Sequence, residues 1–278
     1  MADSVGVLGA TSFVGRALVP RLEQQGWRVV PFSRRNSPPV ANDEPIPFWV
    51  ALCPIWAVPE HFSRLEAHGA RRLVALSSTS RFTKNASADA SEREVAQRLA
   101  SAEEAVQDWG KAHHVTTTVL RPTMIYDGVH DRNIALVASA IRRRGWFPLV
   151  GRAEGLRQPV HVDDVAAACA AALTAGSLAS AYELSGAETL SYREMVGRVF
   201  AALGLPPRFV TLPRWAVRLA LPVLRLLPAF RGLSVAMFDR MSDDLVFDHS
   251  AARRDLGFEP RPFRLPEGSA SGGSGLLS

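Results

Sequence analysis

The sequence predicts an α/β fold: a doubly wound parallel sheet with a small, mostly helical C-terminal lobe. Three observations carry that reading. Short apolar runs alternate with longer helical patterns, as βαβ units require. The first apolar run ends in a glycine turn that leads straight into a helical pattern. Beyond about residue 176 strand signals thin out and prolines gather, at 206, 207, 213, 222, 228, 260, 262 and 266. The strand candidates are residues 4–8, 28–32, 48–53, 71–77, 116–120 and 182–185. The helix candidates are 14–25, 58–68, 92–113, 131–144, 163–175, 191–203 and 213–227. Residues 36–47 read as loop, so the segment where a doubly wound sheet often carries a further helix and strand is abbreviated. The domain reading is 1–175 for the sheet domain, 176–266 for the lobe and 267–278 for a flexible Gly/Ser-rich tail.

The glycine turn is the most informative motif. Ser4-Val5-Gly6-Val7-Leu8 is followed by Gly9-Ala10-Thr11-Ser12-Phe13-Val14-Gly15. Gly9 allows a sharp turn, Gly15 lets the helix lie close to the strand, and the amides from Thr11 to Val14 open the helix. This strand–turn–helix arrangement suits a pyrophosphate at a helix N-terminus, as in a Rossmann dinucleotide site. The middle glycine of the usual pattern is replaced by Ser12, and a ligand-free β–α turn is the plainer alternative. Trp27 to Phe32 supplies the second strand, and Ser33-Arg34-Arg35 follows it with no carboxylate before Asp43. NAD sites place an acidic residue there to accept from the ribose 2′-OH. Two guanidiniums suit a 2′-phosphate instead, so NADP is expected over NAD.

Composition narrows the class. The chain has 278 residues and a net charge of +5. It has two cysteines, Cys53 and Cys169, far apart in sequence. That excludes a disulfide framework or a CxxC metal site, and a reduced cytoplasmic protein is the simplest reading. The basic residues are scattered, with no basic tract interleaved with aromatics, so nucleic-acid binding is not expected. An anionic cofactor or substrate accounts for the charge. No apolar run is long enough to span a bilayer. Trp215 to Leu227 is short and carries Arg218 and Arg225. It reads as an amphipathic helix packed on the core, or else as one touching a membrane surface. No metal is expected: Asp163 is read as the cap of the following alanine-rich helix, and His161 as lining the pocket or packing beneath it.

Four stretches in order resemble the atypical or extended branch of the short-chain dehydrogenase/reductase superfamily, close to NAD-dependent epimerase/dehydratase-like sequences. They are the Gly9–Gly15 turn, Leu76-Ser77-Ser78-Thr79-Ser80, Leu120-Arg121-Pro122-Thr123-Met124-Ile125-Tyr126, and Gln158-Pro159-Val160-His161-Val162-Asp163-Asp164-Val165. The pattern from Phe247 to Pro260 resembles the C-terminal end of the same family. The resemblance implies that Thr79 matches the catalytic Ser/Thr and that Ser77 and Pro122 lie against the cofactor. Tyr126 is a second candidate for the chemistry. The alternatives are a hydroxyl-rich capping turn for Thr79 and a core aromatic for Tyr126.

One departure separates cofactor binding from catalysis. Active members of that superfamily use Tyr-x-x-x-Lys on the helix after the Ser/Thr strand, where Lys lowers the phenol pKa for proton transfer. Here that helix, from Ser91 to Glu104, contains neither Tyr nor Lys; Val95 and Leu99, or Glu94 and Arg98, stand in their places. Two readings follow. One is an NADP-dependent oxidoreductase or epimerase-like enzyme with a rearranged acid, acting on a small molecule. The other is a non-catalytic NADP-binding sensor, scaffold or subunit. An open cleft holding Thr79 and a second titratable group favours the first; a cleft plugged by Trp49, Trp56 or Trp146 favours the second. No motif encodes oligomeric state, and a homodimer is left open. NADPH is expected to bind about tenfold or more tightly than NADH, since charge-assisted hydrogen bonds contribute about 1.5–3 kcal/mol. Arg34→Ala should erase most of that gap in calorimetric titrations, and equal affinities in the wild type would refute the assignment.

Overall fold

The computed structural model describes residues 3–32, 44–217, 219 and 240–265. Six parallel strands form the central sheet: β1 (Ser4–Leu8), β2 (Arg28–Phe32), β3 (Phe48–Ala51), β4 (Arg72–Leu76), β5 (Thr116–Pro122) and β10 (Ala181–Leu184). Their spatial order is β2-β1-β3-β4-β5-β10. The chain leaves β1 toward one edge and returns to β3 on the other side of β1. That reversal is the switch point at which open α/β sheets bind ligands, beyond the strands' carboxyl ends. Among the described residues β2 is the edge strand.

Helices cover both faces because the strands are apolar on both sides. On one face α1 (Phe13–Gln24) and α6 (Val162–Thr174) pack together through Val14, Leu18 and Leu22 against a core that includes Val165, Cys169 and Leu173. Complete burial pushes the Cys169 thiol up to about 12, so it behaves as a small apolar side chain. On the other face lie a 3₁₀ turn (Ile55–His61), α2 (Phe62–Ala67) and α4 (Ala90–Ala112). Sequence periodicity predicts one helix over 58–68. Pro59 sits where that helix would begin, and the segment divides into the 3₁₀ turn and the short α2.

A third core builds the lobe. It joins α5 (Ile134–Arg144) and β7 (Phe147–Val150) to α7 (Tyr192–Ala202), with Phe263 and Met241 from the C-terminal segment. Two small strand pairs complete it. β12 (Phe209–Leu212) runs parallel to β7, and β11 (Leu190–Ser191) runs antiparallel to β8 (Leu156–Arg157). The lobe is therefore assembled from two stretches of chain, and β10 belongs to the main sheet beside β5. Residues between Ile134 and Ala153 share this core with residues between Leu190 and Val217. A last helix, α8 (Ser250–Leu256), returns to the first core through Ala252 and Leu256.

The sequence predicts that the segment from Trp215 packs on the core or else touches a membrane surface. In its described part only Val217 packs on the core; Trp215 and Leu219 stand exposed. Residues 36–43 and the tail after Leu265 lie outside the described residues.

Candidate active-site cleft

The glycine turn is shaped by two close approaches. Gly9 has φ +83°, and a Cβ there would sit 2.9 Å from the Cys53 amide nitrogen. A Cβ on Gly15 would lie 2.4 Å from the Ala10 carbonyl oxygen. Both positions therefore exclude larger residues while α1 packs this tightly on the turn. Ser12 is the helix N-cap, its Oγ accepting from the Gly15 amide at 3.1 Å. The first turn of α1 holds no acidic side chain. Among the described residues the amides of Thr11, Phe13 and Val14 have no hydrogen-bond partner. Three donors without a partner among the described residues thus stand at a helix N-terminus that carries no acidic side chain. Ser33, Arg34 and Arg35 lie outside the described residues.

Phe13, at the end of this turn, lines a cleft of about 820 Å³ between the sheet and the lobe. The opposite wall comes from α5, β7, β8, α7 and the segment from Arg240 to Phe247. Ser78, Thr79 and Ser80 enter from the end of β4. Thr79 is buried; its hydroxyl donates to the Pro122 carbonyl at 3.3 Å, a long bond that leaves both lone pairs for a ligand. Ser78 does the local capping, accepting from the Ser80 amide at 3.1 Å. Pro122 itself is buried and acts through its carbonyl, which also receives the Thr79 amide at 3.2 Å.

Ser77 points elsewhere. Its hydroxyl donates to Glu103 of α4, which also accepts from Arg81 and from the Arg121 guanidinium at 2.6 and 3.0 Å. Arg121 reaches Glu183 of β10 as well, at 3.0 Å. Burial opposes the charge on Arg121, but the two carboxylates outweigh it and raise its pKa. This buried cluster locks the ends of β4, β5 and β10 to α4 and thereby sets the position of Thr79.

The family model for "NAD dependent epimerase/dehydratase family" matches residues 5–58 and 60–184. The chain belongs to that family. Its fold is shared over 94% of both chains with gox2253 at 19% identity and a TM-score of 0.70. RMD from Pseudomonas aeruginosa, solved with NADPH, is similar over 94% of both chains at 17% identity and a TM-score of 0.64. UDP-glucose 4-epimerase from Thermotoga maritima, solved with UDP-glucose, is similar over 93% of this chain and 94% of that one, at 16% identity and a TM-score of 0.64. A curated relative is 36% identical over 99 residues: NADH dehydrogenase [ubiquinone] 1 alpha subcomplex subunit 9, mitochondrial, of Arabidopsis thaliana. The match spans 34% of this chain and only 24% of that protein.

Within this family frame the position of the missing Tyr-x-x-x-Lys pair is plain. Leu99 is buried in the core beneath α4, and Val95 packs half-buried against it. Glu94 and Arg98 face solvent, with the Arg98 guanidinium over the Trp56 ring. Neither pair lines the cleft. Tyr126 does not replace them. It forms β6 with Ile125, and successive strand residues face opposite sides. Ile125 lines the cleft, while Tyr126 is 0% exposed between Phe263 and His161. Its hydroxyl accepts from the Arg264 amide at 3.3 Å, and burial raises its pKa.

Titratable side chains that the motif reading passed over do line the cleft, among them Lys84, His130 and Tyr192. Lys84, one of only two lysines in the chain, follows the short helix α3 (Ser80–Thr83). Tyr192 begins α7 and faces the Arg157 guanidinium, 5.6 Å from the ring centroid; burial raises its pKa while Arg157 opposes that rise. The rarity of Lys and Tyr in this sequence was the available signal. Trp49, Trp56 and Trp146 do not enter the cleft: Trp49 is in the core, stacked on Phe32.

The cleft is rich in cations. Among the described residues Lys84, Arg132, Arg144, Arg157 and Arg240 line it against one carboxylate, Asp131. Asp131 is spent on the loop before α5, accepting from the amides of Gly128, Asn133, Ile134 and Ala135. That carboxylate is why α5 starts at Ile134 rather than at 131. Arg157 is held by the carbonyls of Leu156, Asp243 and Arg240. Arg240 pairs with Glu92, whose pKa stays low because Arg240 and Ser87 outweigh its burial.

His161, not Asp163, caps α6: its Nδ1 accepts from the Asp163 amide at 3.2 Å. Asp163 and Asp164 instead clasp Arg261, with Asp164 accepting from both its amide and its Nε at 2.9 Å. Among the described residues no group of three or more His, Cys, Asp or Glu is placed to hold a metal.

The cap requires a neutral imidazole, and burial lowers the His161 pKa below 6.5, as it does for His61 and His249. A depressed histidine pKa means that the unfolded chain takes up protons first, so stability falls as pH drops through about 6.5. Carboxylates add nothing until lower pH. Thermal unfolding should therefore show a lower Tm at pH 5.5 than at 7.5, and His161→Asn, a cap that does not titrate, should shrink the difference. Glu103→Ala should cost about 3–5 kcal/mol in denaturant unfolding, because it strands two partly buried guanidiniums; a loss below about 1 kcal/mol would mean that the cluster is not structural.

Proposed function

We propose that the protein is an NAD(P)-dependent enzyme of the oxidoreductase or epimerase/dehydratase type, with NADP favoured over NAD, acting on a small anionic molecule. One observation carries this reading: a turn with three unpaired amides opens into a cleft that contains Thr79 beside titratable side chains. In this reading the turn from Gly9 to Gly15 holds the pyrophosphate. Arg34 and Arg35 hold the 2′-phosphate. The bound nicotinamide supplies the hydride acceptor or donor. Thr79 turns its hydroxyl from the Pro122 carbonyl to a substrate oxygen and orients it. Tyr192, beside Arg157, is the proton source that stands in for the missing tyrosine, and Lys84 is a further candidate. The excess of cations over carboxylates in the cleft supports an anionic substrate.

A second reading is a non-catalytic NADP-binding subunit. The apolar residues at the Tyr and Lys positions, turned into the core, support it. So does the partial match to a protein named as a complex subunit. The two readings part on one experiment: NADPH binding by fluorescence titration, followed by single-turnover oxidation against a panel of carbonyl compounds and nucleotide sugars. Thr79→Val and Tyr192→Phe should each lower turnover by about 100-fold or more while NADPH affinity stays within about threefold. Full NADPH binding with no turnover on any compound favours the subunit reading, and unchanged turnover in both variants removes these residues from the chemistry.

A further inference from the structure

We propose that the outer edge of the lobe, residues 205–219, docks on an anionic membrane surface. Trp215 and Leu219 are 67% and 70% exposed. They stand four residues apart, on one face of a helical segment. Val217 between them is 8% exposed and packs in the lobe core, so the segment is anchored from behind while its outer face is bare. The preceding chain adds Val210, 42% exposed on β12, and Leu205, 37% exposed. Arg208 and Arg214 are exposed beside them and form no ion pair among the described residues.

Charge selects the occupant. The described residues of this edge carry Arg208 and Arg214 and no Asp or Glu. A net charge of +5 disfavours a second copy of the chain on this face. Anionic lipid headgroups complement the arginines, and an exposed Trp beside aliphatic side chains suits the boundary between headgroup and acyl chain. Among the described residues no helix is long and apolar enough to cross a membrane, so the contact is peripheral. Since β12 pairs with β7, whose Phe147 and Pro148 line the cleft, docking brings the lobe wall of the cleft next to the bilayer.

The test is flotation of the full chain with phosphatidylcholine vesicles, with and without an equal part of phosphatidylglycerol. Binding to the anionic vesicles should be roughly tenfold stronger or more, and raised salt should weaken it. Trp215→Ser combined with Leu219→Ser should lose about tenfold in binding with circular dichroism and Tm unchanged, since both side chains are exposed. Arg208→Gln with Arg214→Gln should reduce the preference for anionic lipid. Equal partition onto both vesicle types, or full binding by the double-serine variant, overturns the proposal. So does light scattering that shows a dimer dissolved by the serine substitutions in a chain that ignores vesicles.

Discussion

The buried carboxylate of Glu103 is the interaction on which the site depends. It is 2% exposed and gathers Ser77, Arg81 and Arg121 around one side chain. Those partners come from the end of β4, from α3 and from β5, and Arg121 passes the link on to β10 through Glu183. A buried ion pair adds little net stability over apolar packing, but its geometry admits few alternatives. Here it fixes the strand ends that carry Thr79 and Pro122 and the helix that faces them.

The same cluster bears on the loss of the family's catalytic pair. Glu103 ties α4 to the ends of β4 and β5. Val95 and Leu99 turn to the core and extend it. The side chains available to the cleft then come from beyond the sheet: Lys84 after α3, and Tyr192 and Arg157 from the lobe. The glycine turn and these titratable side chains thus stand on different parts of the molecule, the first at the β1–α1 junction and the second after α3 and in the lobe.

Features set by local chemistry were legible in the sequence. The glycine turn needs only a positive φ at Gly9 and a close approach at Gly15, and both are properties of the residues themselves. Six sheet strands and most helices follow from apolar period and caps, including the capping box of Ser191 and Glu194 at α7. Short elements were not legible. β6 is two residues long, too short for an alternation to show, and one residue of register decides between Ile125 in the cleft and Tyr126 in the core. Ser77 and Thr79 are equally plausible as hydroxyls at a strand end; what separates them is the distant Glu103. His161 took the cap from Asp163 because its backbone, not that of Asp163, is extended before the helix.

By itself the sequence determined the family, the parallel sheet, the glycine turn and the absence of Tyr-x-x-x-Lys, because each is written in contiguous residues and short spacings. The tertiary structure alone decided which side chains meet. It assembled the lobe from two separated stretches, withdrew Tyr126 and Ser77 from the cleft, and brought Lys84 and Tyr192 into it. Those outcomes depend on contacts between residues far apart in the chain, and no local periodicity encodes which distant partner a buried polar group will find.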